Sequence, residues 1–289
     1  YKNIDEKSIV NDFEKEFAVY AGRKYSLAFP FARTAIYLAL KSQDIPRGSE
    51  IIMPPITIKG ILDVVLDLGL IPVFVDIDLD TLCFDCNKIE GSITSKTKAI
   101  LITYLFGIVP DLDRMIDICK KSDIFIIEDF SQCLNGKYNN QKVGSFGDVG
   151  VYSASSIKTL DTYGGGLLVC DNENLHNKLN CFQSEFQSPS RLILINKIIT
   201  DLIRNIATTR IVFHFIVFPL IKLSSRVNPG SAMKHTGERG QEMIKSLPKH
   251  WFERYTSFQA NLGFKYLSLI QASDETRVKN VANLKSNMS

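Results

Sequence analysis

The sequence predicts an α/β protein of the three-layer α/β/α class, in which helices cover both faces of a mostly parallel sheet. Across the first 190 residues, apolar segments of strand length alternate with segments of helical periodicity, which is the pattern of such a sheet. Polar residues follow several of the strands, at the edge where these sheets bind ligands. With 289 residues, 45% of them hydrophobic, the chain is long enough to bury a large core.

The predicted elements follow one another in a regular order. An amphipathic helix over 13–20 is stopped by Gly22, and an apolar segment over 25–29 leads into the helix-prone residues 31–40. Strands are predicted over 50–53, 72–75, 99–103, 124–127, 149–153 and 167–169, and helices over 61–68 and 113–120. The candidate site is expected at the ends of these strands.

Two ionisable residues stand just beyond central strands. Asp129 follows strand 124–127, and Lys158 follows strand 149–153 in a polar loop before Gly164-Gly165-Gly166. An amine that attaches to an aldehyde and an anion that pairs with a pyridinium nitrogen are what pyridoxal phosphate needs. Taken singly, Asp129 could cap a helix and Lys158 could be solvated, but their order along the chain favours a cofactor site.

A set of ordered motifs resembles the sugar aminotransferases of the DegT/StrS group, within the aspartate aminotransferase fold superfamily. The likeness runs from about Phe13 to Leu262. Its motifs are Asp129-Phe130-Ser131-Gln132, Gly144-Ser145-Phe146-Gly147-Asp148, Ser153-Ala154-Ser155-Ser156-Ile157-Lys158 and Gly165-Gly166. The resemblance implies a pyridoxal-phosphate-dependent enzyme of fold type I, with a small C-terminal domain that is only partly present here.

The resemblance also implies roles for individual residues. Lys158 corresponds to the lysine that holds the cofactor, Asp129 to the partner of the pyridine nitrogen, Gln132 to a contact near the ring hydroxyl, and Ser153 to a phosphate ligand. The sugar dehydratases of the family carry histidine at the position of Lys158, so the lysine favours amino transfer. The implied reaction moves an amino group from L-glutamate to a nucleotide-linked keto sugar in a homodimer.

Three places depart from the family pattern. Arg33 and Thr34 lie at a helix start where a phosphate could bind, but the family's Ser-Gly-Thr falls on residues 31–33, and Arg33 equally fits a surface position. Ile58 replaces an aromatic ring over the cofactor and offers no π-stacking. The third departure lies in a segment that resembles the one through which a neighbouring subunit reaches the phosphate: the family's asparagine falls on Phe252, and only Arg254 matches well there. These departures favour the alternative of a non-catalytic or regulatory relative.

The chain divides by charge as well as by pattern. Residues 191–289 hold 15 Lys/Arg and 6 Asp/Glu, a net charge of +9, whereas the first 190 residues carry −6. We therefore expect a large cofactor-binding domain over 1–190, an inserted apolar and basic helical segment over 191–235, and the start of a small C-terminal domain, apparently truncated, over 236–289.

The inserted segment has two interpretations. Leu192, Ile195, Ile199, Leu202 and Ile206 repeat at helical spacing, and residues 211–218 are apolar almost throughout. The segment is either a helical hairpin that packs on protein, or a basic amphipathic anchor over 192–223 that lies in a membrane surface. Aromatic and basic residues are not interleaved there, so nucleic-acid binding is not expected.

Other classes of site find little support. The six cysteines contain one C-x-x-C pair, Cys83 and Cys86, without a second pair or histidines at zinc spacing, and we expect reduced thiols and no metal. A nicotinamide site would need G-x-G-x-x-G between a strand and a helix, but Gly164-Gly165-Gly166 precedes a strand. No signal peptide is recognised and no apolar run reaches about 18 residues, so a cytoplasmic location is the expectation.

Overall fold

The computed structural model describes residues 7–79, 81–155, 157–227 and 246–288. It divides the chain into two compact units, one formed by Tyr1–Ser188 with Ser246–Ser289 and the other by Pro189–Lys245. The sequence-predicted boundary between residues 190 and 191 falls close to the division between these units. The predicted boundary between 235 and 236 lies outside the described residues.

Seven strands of the first unit form one mixed sheet in the order β1-β9-β8-β5-β4-β2-β3. Strand β9 is antiparallel to both of its neighbours, and the other pairs are parallel. The strands are β1 Tyr25–Phe29, β2 Glu50–Met53, β3 Ile71–Phe74, β4 Thr97–Thr103, β5 Phe125–Asp129, β8 Val149–Ser153 and β9 Gly166–Cys170, and a separate hairpin joins β6 Lys137–Tyr138 to β7 Gln141–Lys142. The mostly parallel sheet is confirmed, with strand ends shifted by one or two residues.

Helices separate the strands, and side-chain caps fix several of their starts. The carboxylates of Asp85 and Asp111 accept backbone N–H groups at the starts of α4 and α5, and Thr256 and Gln259 form a capping box at α10. The helices are α1 Lys7–Ala21, α2 Ala32–Ser42, α3 Lys59–Asp67, α4 Cys86–Ser92, α5 Leu112–Lys121, α6 Glu173–Ser184, α7 Arg191–Ala207, α8 Arg210–Val212, α9 Phe218–Val227, α10 Ser257–Leu267 and α11 Ile270–Met288.

The core explains why the central strands are continuous apolar runs. Both faces of β9 are covered, so that all five of its residues are buried. An aromatic cluster ties α1 to α10: the ring of Phe13 lies 6.2 Å from that of Tyr255 and 5.5 Å from that of Phe264. Gly263 permits this contact, because a Cβ there would lie 2.3 Å from the Phe13 ring. Burial of a phenylalanine stabilises by about 1.5–3 kcal/mol.

The parallel strands bring their last residues to one edge of the sheet. Thr103 at the end of β4 pairs in register with Asp129 at the end of β5, and Ser153 ends the neighbouring β8. Strand β9 runs the other way and begins here at Gly166, where a Cβ would lie 2.3 Å from the Phe31 carbonyl carbon. Only glycine fits this approach of β9 to the start of α2. We call this the carboxyl edge.

Candidate active site

A buried carboxylate lies at the centre of the carboxyl edge. Asp129 is 7% exposed, and its carboxylate accepts the Ser131 N–H at 3.0 Å as well as a side-chain hydrogen bond from Ser131. The Ser131 hydroxyl in turn accepts the Ser153 N–H at 2.9 Å. The chain of bonds joins the ends of β5 and β8, which brings two sequence-predicted residues, Asp129 and Ser153, into one network.

The charge of Asp129 is held between opposing influences. Burial raises the pKa of Asp129 above its ordinary value, while the Ser131 hydrogen bonds and the positive charge of Lys158 lower it in part. Strand β8, which leads into the loop of Lys158, pairs directly with β5, which ends at Asp129. A buried carboxylate of this kind is suited to a cationic ligand group.

Lys158 occupies a loop that is closed at its base. The Ala154 N–H donates to the Gly165 carbonyl at 2.9 Å, and the Ala154 carbonyl accepts the N–H groups of Thr162 and Gly164 at 3.1 and 3.2 Å. Within the loop, the Lys158 N–H donates to the Ser155 carbonyl at 2.9 Å. The half-buried lysine is thus carried on a pinned loop that leaves β8 and returns to β9.

Glu128 organises this edge from within the core, and sequence reasoning assigned it no role. Its fully buried carboxylate accepts the N–H groups of Gly144, Phe146 and Gly147 at 2.6–2.7 Å and the Tyr104 hydroxyl at 2.5 Å. It therefore clamps the loop before β8, which is the strand that leads to Lys158. The signal available in the sequence was an acid on a buried strand followed by a glycine-rich segment.

Two buried hydroxyls at the same edge have no hydrogen-bond partner among the described residues. These belong to Thr57, which follows β2, and to Thr103, which is the register partner of Asp129. Unpaired buried polar atoms are rare in folded proteins and indicate a ligand or a water molecule. Together with the anion at Asp129 and the amine at Lys158, these hydroxyls give a polar site that fits pyridoxal phosphate.

Arg33 is held between two aromatic rings. Its guanidinium carbon lies 4.3 Å from the centroid of Phe31 and 4.1 Å from that of Trp251, which is cation–π geometry. Burial lowers the pKa of Arg33, and the charge of Asp63 partly opposes this shift. Its Nε is buried and has no partner among the described residues. Arg33 is therefore held between the two rings, unlike an ordinary exposed surface arginine.

Thr34 is placed differently from the sequence-based expectation. The residue is fully buried, its hydroxyl donates to the Trp251 carbonyl at 2.7 Å, and its N–H donates to the Phe31 carbonyl at 3.1 Å. Both donors that a phosphate would need are already used within the protein. We correct the prediction and leave Thr34 out of the cofactor site.

The other predicted contacts are spread more widely. The exposed Gln132 accepts the Phe106 N–H at 3.0 Å, and Ile58 is 47% exposed at the start of α3. Arg254 donates to the Ser184 carbonyl at 3.3 Å and lines a cavity of about 290 Å³ beside Lys7. Neither Asp129 nor Lys158 lines that cavity.

The described residues contain no group of side chains placed to hold a metal ion. All six cysteines are free thiols, and Cys86 begins α4 rather than lying in a turn. Among the described helices, none alone is long and apolar enough to cross a membrane. The pair Leu194–Ala207 and Arg210–Ser224, bent by 70° at the break, meets that test together by length and composition.

Comparison with known proteins identifies relatives of the first unit. Residues 3–191 match the model of the DegT/DnrJ/EryC1/StrS aminotransferase family. The chain is 35% identical over 170 residues to the spore coat polysaccharide biosynthesis protein SpsC of Bacillus subtilis, covering 59% of this chain and 44% of that protein. It is 33% identical over 180 residues to the GDP-perosamine synthase of Caulobacter vibrioides, covering 62% and 48%.

A dehydratase is also among the relatives. The GDP-4-keto-6-deoxy-D-mannose 3-dehydratase of Yersinia pseudotuberculosis is 34% identical over 181 residues, which cover 61% of this chain and 46% of that protein. The chain therefore spans about half the length of the curated relatives it matches.

Solved structures share the fold. A GDP-4-keto-6-deoxy-D-mannose-3-dehydratase of Escherichia coli with bound hydrated PLP superposes with a TM-score of 0.70 at 22% identity, covering 96% of this chain and 64% of that one. A DegT DnrJ EryC1 StrS aminotransferase of Brucella abortus gives 0.68 at 22% identity, with 96% and 64% covered. These matches confirm the predicted fold, and the match of residues 3–191 to the family model confirms the resemblance predicted from the sequence motifs.

Proposed function

Because this chain belongs to the DegT/DnrJ/EryC1/StrS aminotransferase family, we propose that the protein transfers an amino group from L-glutamate to a nucleotide-linked keto sugar. The observation that carries the proposal is the buried carboxylate of Asp129 at the end of β5, next to β8, the strand that leads into the loop of Lys158. One residue is the anion and the other the amine that the cofactor requires. When bound, pyridoxal phosphate supplies an electron sink and carries the amino group between the two substrates.

Asp129 holds a proton at the ring nitrogen in this proposal. An unpartnered charge on a buried carboxylate is costly, as the raised pKa of Asp129 indicates, and a cationic ring N–H would offset that cost. The two Ser131 hydrogen bonds fix the orientation of the carboxylate. Asp129 thereby sets the charge of the ring, and Ser131 acts through Asp129 as a positioning residue.

Lys158 has two tasks in sequence. Its amine would hold the cofactor covalently when the cofactor is bound. Once free, the amine would move a proton at the substrate Cα, as a general base and then as a general acid. The pinned loop between Ala154 and Gly165 keeps this amine at the carboxyl edge throughout.

The remaining cofactor contacts are assigned from position. Ser153 at the end of β8 and Arg33 at the start of α2 are proposed to hold the phosphate, Gln132 the ring hydroxyl, and Ile58 the ring face. The unpaired hydroxyl of Thr103 lies across from Asp129 in register and is a further candidate. Ile58 provides dispersion contact without π-stacking, so cofactor affinity rests more heavily on the polar groups.

Substrate and assembly follow from the relatives and from Arg254. Relatives named as a GDP-perosamine synthase and a GDP-4-keto-6-deoxy-D-mannose 3-dehydratase favour a nucleotide-linked keto sugar. Because the segment around Arg254 resembles the one through which a neighbouring subunit reaches the phosphate in this family, we propose a homodimer in which Arg254 has that role. The six free thiols favour a reducing compartment, which supports a cytoplasmic location.

The test is a pair of half-reactions on the cofactor-loaded protein, followed by visible absorbance. L-Glutamate should convert the bound cofactor to its aminated form with release of 2-oxoglutarate, and a nucleotide-linked keto sugar should reverse the change. A panel of sugars that differ in nucleotide and keto position would identify the acceptor. If the absorbance of the bound cofactor stays unchanged with every amino acid tested, amino transfer is contradicted.

A second candidate is a non-catalytic or regulatory relative. The replacements at Arg33, Ile58 and Phe252 favour it, because each stands where the family places another residue type. Such a protein would bind pyridoxal phosphate through Asp129 and Lys158 and show no spectral change with L-glutamate or with any other amino donor. The same absorbance assay therefore separates the two candidates.

A further inference from the structure

The helical segment over 191–227, which we call the basic apolar segment, exposes large apolar side chains along its whole length. Thirteen of its leucine, isoleucine and phenylalanine side chains are between 42% and 73% exposed. Single exposed apolar residues are ordinary, but a continuous series marks an interaction surface. Either a lipid bilayer or another protein can cover such a surface.

Helix α7 presents its exposed large apolar residues as one stripe, while Leu194 and Ile198, which lie outside the stripe, are half-buried. At 100° per residue, its six exposed members fall within an arc of about 100°. These are Leu192, Ile195, Ile199, Leu202, Ile203 and Ile206. The exposed polar residues Asn196, Thr200 and Asn205 lie outside that arc. This is the arrangement of a helix that lies in the plane of an apolar–polar boundary.

The helical residues after Arg210 expose apolar side chains on more than one side, with His214 and Lys222 as exposed polar residues among them. Six large apolar side chains within ten consecutive helical positions are exposed, too many to share one face: Ile211, Phe213, Phe215, Ile216, Phe218 and Leu220. A folded protein partner covers one side of a helix, whereas lipid chains surround it. An exposed helix that is apolar on more than one side is therefore suited to a bilayer.

Pro219 accounts for a local irregularity in this helix. Proline lacks an N–H and its ring crowds the carbonyl four residues earlier, here that of Phe215. Residues Phe213–Val217 form a π-helical turn at this point. The wider turn spreads the phenylalanine side chains around the axis and does not interrupt the apolar surface.

The net positive charge of the segment favours a bilayer with anionic headgroups. Residues 191–227 contain six Lys/Arg and one Asp, a net charge of +5. Basic residues that border an apolar surface are attracted to anionic headgroups, by about 1 kcal/mol each. No described helix alone is long and apolar enough to cross a membrane, whereas the pair Leu194–Ala207 and Arg210–Ser224 passes that test together and is bent by 70°. A pair bent in this way is suited to entering a bilayer from one side.

We propose that the basic apolar segment anchors the protein to the surface of a membrane that contains anionic phospholipids. The stripe of α7 lies at the headgroup boundary, the apolar residues from Ile211 to Leu220 enter the acyl region, and Arg204, Arg210 and Lys222 contact the headgroups. Such an anchor would keep the enzyme close to a lipid surface without a spanning helix. The inference stands on the exposed residues and does not depend on catalysis.

The test is co-sedimentation of the full chain with vesicles. Vesicles of phosphatidylcholine with phosphatidylglycerol should bind the protein at 50 mM salt at least tenfold better than phosphatidylcholine alone, and 500 mM salt should weaken the binding. The double variant Ile211→Asp/Phe215→Asp should bind at least tenfold more weakly. Absence of parent binding to the anionic vesicles at low salt would overturn the proposal.

A matched control separates insertion from a general effect of added charge. Val278 and Leu284 on α11 are 71% and 60% exposed, close to the 73% and 72% of Ile211 and Phe215. Val278→Asp/Leu284→Asp should bind vesicles like the parent. Equal losses in both double variants would contradict an anchor at the basic apolar segment. Circular dichroism spectra check that both variants are folded.

Two further measurements address depth and the rival occupant. Phe215→Trp adds a second tryptophan to the single, buried Trp251, and its emission should shift to the blue when anionic vesicles are added. Sedimentation velocity without lipid tests a second copy of the chain as the occupant. If Ile211→Asp/Phe215→Asp dissociates a dimer and the parent shows no vesicle binding, the surface is a protein interface and the proposal is wrong.

Discussion

The carboxyl edge and the basic apolar segment break the usual distribution of polar and apolar residues in opposite ways. At the carboxyl edge, charged and hydroxyl groups such as Glu128, Asp129 and Thr103 are removed from water. In the basic apolar segment, residues such as Ile211 and Phe215 remain exposed to it. Buried polar groups and exposed apolar surfaces both cost free energy, so each is retained where a ligand or partner relieves the cost.

The two regions differ in how far contacts within the chain offset this free-energy cost. Glu128 is satisfied by four donors of its own chain, whereas Asp129 has Ser131 as its donor and the charge of Lys158 nearby. In the basic apolar segment, no comparable contact with other described residues covers the thirteen exposed side chains. Satisfied groups therefore belong to the scaffold, and groups that are only partly satisfied mark where a ligand, or a bilayer, is expected.

The largest effect is expected from Lys158→Ala. The variant loses the amine that attaches the cofactor, and amino transfer should fall at least about a thousandfold. Mass spectrometry after borohydride reduction should find the cofactor on Lys158 in the parent protein and nowhere in the variant.

Lys142 provides a matched control for this experiment. It is half-buried, burial lowers its pKa to about 8, and its ammonium lies 3.2 Å from the Tyr20 ring centroid, in the β6–β7 hairpin. Lys142→Ala should retain the covalent cofactor. If the cofactor is found on Lys142 instead, a lowered pKa rather than position at the carboxyl edge selects the lysine, and the assignment of the site fails.

Glu128→Ala should be the most destabilising change at this edge. It leaves three buried N–H groups and the Tyr104 hydroxyl without an acceptor, which we expect to cost about 3–5 kcal/mol of unfolding free energy. Urea denaturation of the cofactor-free protein measures the loss. A decrease below about 1 kcal/mol would show that the glycine-rich loop does not depend on the Glu128 clamp.

Sequence reasoning recovered what depends on local pattern. The strands were predictable because buried parallel strands are continuous apolar runs, and Asp129 and Lys158 because each follows such a run. Glu128 was missed because its partners are backbone amides of Gly144, Phe146 and Gly147, which leave no trace in side-chain pattern. The use of the Thr34 hydroxyl within the protein could not be predicted either, because its acceptor is the carbonyl of Trp251, which is distant in the sequence.

Asp129→Asn should separate chemistry from stability. The change keeps the shape but removes the charge that holds the ring-nitrogen proton, so the half-reaction with L-glutamate should slow at least about a hundredfold. Rapid-mixing absorbance measures this rate. Transamination at the parent rate would remove Asp129 from the site.

The stability of the same variant has a definite sign. Because burial raises the pKa of Asp129 in the folded protein, the carboxyl favours folding when protonated, and that contribution is lost as pH rises through the folded-state pKa. At pH 7 the cofactor-free Asp129→Asn protein should therefore be at least as stable as the parent. A large loss, like that expected for Glu128→Ala, would place Asp129 among the scaffold residues.

A smaller effect is expected from Arg33→Ala. A phosphate contact is made equally in the ground and transition states, so the variant should bind cofactor about tenfold more weakly and react at nearly the parent rate once saturated. Equilibrium titration with pyridoxal phosphate measures the affinity. Unchanged affinity would leave Arg33 as a residue that packs between Phe31 and Trp251, without a role in the site.

The smallest effect, and the one most able to break the comparison, is the stability of Ile211→Asp/Phe215→Asp without lipid. If these side chains are as exposed as their fractions of 73% and 72% indicate, replacing them loses no buried contact, and the free energy of unfolding should change by less than about 0.5 kcal/mol per residue. Urea denaturation beside the parent protein measures the change. A loss of several kcal/mol would mean that both residues are packed against protein in solution, and the basic apolar segment would then be an ordinary internal hairpin with no surface to offer a membrane.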